Sequence, residues 1–192
     1  NERVSYGRHI ADKIGAILHC DAESAGSNAR VERTTYEYLK EGHKPDLVLI
    51  GWSTWEREEW WHNGEDYQVN ASGIDQVPQE LQEKYRQYIL GIDWQLKTEQ
   101  AHNQIWDFHK ELEEQDIRHI FFNGNNNFEK IQNQKDWGLS YIDPYNPKGT
   151  FSAKLEAAGI QTVAPDSYHY GKDGHSFFNR FMLQYIIDNK FI

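Results

Sequence analysis

Cys20 is the only cysteine in the chain, so neither an internal disulfide framework nor a multi-cysteine metal site can form. A reducing compartment is the default setting for such a sequence. Positive charge is also scarce: 20 Lys and Arg stand against 30 Asp and Glu, a net charge of −10. Phosphate backbones and anionic membranes are held by concentrated Lys and Arg, so this balance argues against nucleic acid or membrane as the main partner. No apolar run approaches the ~18 residues needed to cross a bilayer. There is no signal-peptide pattern, no internal repeat, no low-complexity tract and no Pro/Gly-rich linker. The sequence starts at Asn1 rather than Met, and residues preceding it are expected to be missing.

Aromatic residues, by contrast, are abundant. Seven Trp, eleven Tyr and nine Phe can fill a core, and so many also suggest aromatic contact with a ligand or partner. At 192 residues one ordinary domain, 1–192, is expected, large enough to need no covalent staples.

The periodicity predicts alternating helices and strands. A helix over Arg3–Ile14 ends at Gly15, and Ala16–Cys20 reads as a short strand. Small polar residues 22–28 form a loop, and a helix follows over Ala29–Leu39 with Ser27 or Asn28 as its cap. Pro45–Gly51 is the clearest strand, its apolar run continuous as in parallel strands covered on both faces. Residues 52–76 read as a polar, aromatic loop. A long helical region runs from Pro78 to about Gln115, with Gly91 as a candidate interruption. Ile117–Phe122 is the next strand, then an irregular stretch over 128–149, a short helix at 151–158, a short strand at Ile160–Val163 and a last helix over 174–189. Such alternation predicts an α/β fold, a three-layer α/β/α sandwich on a parallel sheet. Ligands in such sheets collect at the carboxyl ends of the strands, which directs attention to the loops after Cys20, Ile50, Phe122 and Val163.

Three segments there could carry chemistry. Asp166 lies three residues before His169 on a loop entering the last helix, a spacing that lets a carboxylate orient an imidazole and free its second nitrogen as a base. A solvated helix entry with exposed histidines is the plainer reading. Gly26-Ser27-Asn28 lies before a helix, where backbone N–H groups can stabilise an oxyanion, or where small residues merely make a turn and a cap. Gly51-Trp52-Ser53-Thr54 places hydroxyls just past a strand end, and the Trp-rich segment after it could line a sugar cleft, meet a protein, or be a pinned loop. Asp166, His169, Asp173 and His175 have no second cluster at fixed spacing to complete a metal site, so no metal and no cofactor is expected. The Asn123–Asn127 run either offers amides to a ligand or is turn chemistry.

In this order the segments resemble the SGNH (GDSL-like) hydrolase superfamily. Asp166-x-x-His169, with the six-residue step to Gly174-His175, matches that family's terminal block; Tyr170 stands where proline is common. Gly26-Ser27-Asn28 resembles the second block and Leu47–Gly51 the strand of the third, whose usual Gly-x-Asn-Asp is here Gly51-Trp52-Ser53-Thr54. The Gly-Asp-Ser or Gly-Cys-Ser motif that carries the family's nucleophile has no counterpart, and Ser5 follows no strand.

The resemblance implies a flavodoxin-like sheet and a carboxylic-ester hydrolase, provided that a nucleophilic serine precedes Asn1. In that reading His169 is the base, Asp166 its orienting partner, Gly26 and Ser53 the oxyanion donors, and Asn28, Trp52, Trp55 and Asn123 candidate substrate contacts. The polar, Trp-rich stretch 52–67 points to an esterase or O-deacetylase acting on acylated carbohydrate, because aromatic faces stack on sugars. Gly51–Arg57 and Tyr168–His175 are also loosely similar to SGNH-like proteins of tailed cyanobacterial viruses. That likeness implies the alternative, a non-catalytic virion or glycan-attachment protein whose partners are other viral proteins.

Overall fold

The computed structural model describes residues 5–165 and 167–192. It is a mixed α/β protein whose small parallel sheet has helices on both faces. Strand β1 (Val48–Trp52) pairs in parallel with β4 (His119–Asn123), Val48 opposite His119 and Trp52 opposite Asn123. Tyr141 adds a single parallel bridge to Phe121 on the far side of β4. Among the described residues, no strand pairs with the other edge of β1.

Side chains alternate across these strands, as the pleat requires. Ile50, Trp52 and Phe121 point to one face and pack against Ile105, Phe108 and Leu112 of α4 (Trp94–Glu114), with Val31 and Leu39 of α2 (Asn28–Lys40) beside them. Leu49, Ile120 and Phe122 point the other way, against Ile10 of α1 (Tyr6–Ile14) and Phe178, Met182 and Ile186 of α6 (Lys172–Asp188). Gly51 is forced by this second face: a Cβ there would lie 2.5 Å from the Phe122 ring.

Helix ends follow local chemistry. The Ser5 hydroxyl caps α1 by accepting from Arg8 N–H, and Gly15 closes it in a left-handed conformation. Ser27 caps α2 through Arg30 N–H, and Thr150 caps α5 (Phe151–Ala157) through Ala153 N–H. Gly91 divides the long helical region into α3 (Gln82–Leu90) and α4, the latter restarted by the Asp93 cap. The start of the first expected helix, at Arg3, lies outside the described residues.

Three expectations are corrected. Ala16–Cys20 is not a strand: it has no ladder partner among the described residues, and Ile17 is 100% exposed. The segment has strand composition, but a lone strand leaves its backbone hydrogen-bonding groups without a ladder. Residues 52–76 are not all loop, because β2 (Glu58–His62) and β3 (Glu65–Val69) form an antiparallel hairpin. Its tight turn is Asn63-Gly64, with φ of 51° and 91°, the two-residue connection that favours Asn-Gly. Ile160–Val163 is reduced to one antiparallel bridge, Thr162 to Tyr170.

Candidate functional site

The carboxyl ends of β1 and β4 are laced together through the loops that leave them. Gly124 N–H donates to the Trp52 carbonyl at 3.0 Å, and Ser152 N–H at the start of α5 donates to the Gly124 carbonyl at 3.1 Å. The Tyr170 hydroxyl reaches the Ser152 carbonyl at 3.5 Å, and Tyr170 packs edge-on against Phe151. The segments carrying Ser53 and His169 are thus both tied to this rim.

Asn28 joins the start of α2 to the end of β1. Its Oδ1 accepts from Ser53 N–H at 2.8 Å, and its Nδ2 lies 3.4 Å from the Ser53 carbonyl. The Asn28 amide is therefore occupied in holding the loop, whereas the Ser53 hydroxyl takes part in no hydrogen bond among the described residues. Gly26 sits in a tight turn behind Ala25, whose φ is 62°, and its N–H already points at the Glu23 carbonyl at 3.3 Å. The N–H groups of Asn28 and Ala29, in the first turn of α2, have no intrahelical acceptor and are the better-placed donors there.

The hairpin is clamped to the helices on either side. Arg33 of α2 grips Glu59 with Nε and Nη2 at 2.9 and 2.7 Å. Gln68 bridges Glu59 and the N–H of Ser27. From α4, Lys97 bonds Glu58 at 2.5 Å, and Glu58 also accepts from Trp60 Nε1. The Arg33 bond holds the Glu59 carboxyl below its ordinary value; for Glu58, burial works the other way but is outweighed by Lys97, Trp60 and Tyr88 together, and its pKa is lowered too. Between these elements lies a groove of about 290 Å³ walled by Asn28, Arg57, Glu58, Lys97 and Gln100, with Trp55 beneath. Arg57 makes no ion pair among the described residues; its Nη1 lies 3.5 Å from the Gly26 carbonyl and its buried Nε has no acceptor.

Other expected site residues have different surroundings. Trp52 is 1% exposed, its ring enclosed by Phe108 and Phe121, and Trp55 is 4% exposed and stacked flat on Phe128. Neither presents a free face on which a sugar could stack. Asn123, 1% exposed, accepts from the Tyr141 hydroxyl at 2.5 Å and reaches the Pro144 carbonyl, pinning the following loop to β4. His169 is exposed: its backbone bonds Ser167 and Val163, and its imidazole takes part in no hydrogen bond or ion pair among the described residues. Asp166 lies outside the described residues. His175 is separate from His169 in kind, half-buried against Tyr6 and Phe151, and burial lowers its pKa.

Among the described residues, no serine hydroxyl is hydrogen-bonded to an imidazole, and no group of three or more His, Cys, Asp or Glu side chains is arranged to hold a metal ion. Sequence reasoning missed the groove wall formed by Arg57, Glu58, Glu59 and Lys97. The signal that could have found it was Asn63-Gly64, which announces the hairpin and so the alternation that turns Trp60 inward and Trp61 outward. No family model, curated protein or solved structure matches this chain.

Proposed function

We propose that the protein is an SGNH-type ester hydrolase, acting on an acylated carbohydrate, built on a flavodoxin-like sheet. The observation that carries this reading is the reciprocal Asn28–Ser53 contact, which holds the start of α2 and a free serine hydroxyl together at the carboxyl rim of β1. Amides at a helix N-terminus beside a hydroxyl donor suit the negative oxygen of a tetrahedral intermediate, each donor being worth up to ~3–4 kcal/mol in transition-state stabilisation.

In this mechanism a serine on a strand lying along the open edge of β1 attacks the ester carbonyl. The His169 imidazole takes the serine proton and later returns it to the leaving alcohol, with Asp166 orienting the ring. Ser53 Oγ and the N–H groups of Asn28 and Ala29 receive the oxyanion. Gly26 joins them only if its N–H leaves the Glu23 carbonyl. Water then repeats the sequence on the acyl-enzyme. The buried rings of Trp52 and Trp55 leave sugar recognition to the polar groove walls, where Arg57, Lys97 and Gln100 offer donors and Glu58 and Glu59 acceptors. Hydrolysis of p-nitrophenyl acetate by the full-length polypeptide, compared with its His169→Ala variant, tests the chemistry. A rate at least tenfold above the variant is expected, and equal rates end the hydrolase reading.

A second reading is favoured by one specific observation: no serine–histidine hydrogen bond exists among the described residues. In this reading the fold is a non-catalytic module of a tailed-phage particle, attaching to glycan or to other viral proteins. The aromatic available for such contact is Trp61, 69% exposed on the outer side of the hairpin. Its test is glycan binding that falls in a Trp61→Ala variant while the fold is unchanged.

A further inference from the structure

We propose that the buried pair His109–His119 is a proton-operated latch that fixes α4 to β4, and with it the α4 wall of the groove. His109 Nδ1 and His119 Nε2 are 2.7 Å apart, and both residues are about 1% exposed. The direction of that bond follows from the other end of the His119 ring. His119 Nδ1 lies 2.8 Å from the Ile117 carbonyl, which can only accept, so the His119 proton sits on Nδ1 and its Nε2 is an acceptor. His109 must then donate from Nδ1. One backbone carbonyl thereby sets both rings in the Nδ1–H form.

The remaining nitrogen of the pair, His109 Nε2, faces Glu113 Oε1 at 3.6 Å. Glu113 is half-exposed, and its other oxygen is held by Lys110 at 2.6 Å. The rest of the surroundings is aromatic: Trp106 and Trp137 lie 5.1 and 5.5 Å from the His109 ring, and Phe121 lies 4.8 Å from His119. One proton can therefore enter, at His109 Nε2, with Glu113 as its partner. A second proton would set N–H against N–H inside the core and break the bond between α4 and β4. Burial, with lesser opposing and reinforcing effects of Glu113, His119 and Lys110, holds His109 at about 4, and burial lowers His119 as well. Both rings are thus neutral and latched at neutral pH.

Release would loosen the helix that carries Lys97, Gln100 and Ala101 into the groove, so the latch links acidity to the groove's shape whatever the groove binds. The inference does not rest on the hydrolase reading.

Nitrogen-15 NMR of the histidine rings in the whole chain tests the first half. At pH 7 the expected spectrum has two neutral rings protonated at Nδ1; Nε2–H forms or an imidazolium at either position would overturn the assignment. The second half is read by Trp fluorescence and near-ultraviolet circular dichroism during acid titration, since Trp106 and Trp137 border the pair. His119→Gln keeps an acceptor toward the His109 Nδ1–H but cannot take the proton that breaks the bond. Its loss of tertiary signal is expected at least half a pH unit lower than in the wild type, and coincident transitions would refute the latch. Should that variant fail to fold, the wild-type ring titration decides: release at a pH where both rings remain neutral overturns the proposal.

Discussion

The two sides of β1 differ sharply. On one side β4 supplies five paired residues, with Phe121, Ile120 and Phe122 almost wholly buried. On the other no strand pairs with it among the described residues; the segment Ala16–Cys20 likewise makes no ladder among them and leaves Ile17 fully exposed. Both Ala16–Cys20 and His119–Asn123 are short stretches rich in strand-forming residues. What separates them is a neighbour able to complete their hydrogen bonds and cover their side chains, which no short stretch contains in itself.

The comparison breaks most easily on its buried side. Phe121→Ala removes a ring that touches Trp52, Phe108 and Tyr141, and should cost ~3–5 kcal/mol in urea unfolding. A cost below ~1 kcal/mol would mean that the β1–β4 core is looser than described.

Acid should act on the same side, where buried His102 of α4 lies edge-on to Phe128 and Trp137. Burial, with a smaller contribution from Lys135, lowers His102 to about 4, against ~6.5 in the unfolded chain. Between these values the unfolded state binds more protons than the folded one, so stability rises with pH and is lost on acidification through that window. From His102 alone the loss between pH 7 and pH 5 should be roughly 2 kcal/mol, measured by urea unfolding at the two pH values.

Smaller effects belong to the rim. Ser27→Ala removes the α2 cap and should cost ~1 kcal/mol, with raised amide exchange confined to the first turn of α2 and the Ser53 loop. Exchange spreading across the whole chain would show that the rim and the core melt together. Least of all, Ile17→Ser in the unpaired segment should change stability by no more than ~0.5 kcal/mol. A loss above ~1 kcal/mol would mean that the Ile17 side chain is packed against a neighbour.

Much of the fold was legible from local pattern. The continuous apolar run before Gly51 marked β1, Gly15 marked the end of α1, and Gly91 marked the break between α3 and α4. The hairpin was less legible because Glu58-Glu59 and Trp60-Trp61 are adjacent like pairs, so hydropathy does not alternate along β2 although Trp60 is buried and Trp61 exposed. The candidate site was less legible. Ser53 and the start of α2 do meet, but the amide of Asn28 is used in making them meet. Trp52 and Trp55 belong to the core: a tryptophan in a polar stretch looks like a ligand platform until a phenylalanine from elsewhere in the chain covers its face.

By itself the sequence determined the helix caps, the two parallel strands and the acidic surface, because each depends on residues within a few positions of one another or on a simple sum of charges. Only the tertiary structure decided that Ala16–Cys20 finds no strand partner among the described residues, that two tryptophans turn inward and that His109 meets His119. A strand, a covered ring and a buried proton each need a partner that is remote in sequence, and composition does not say which partner the folded chain will bring.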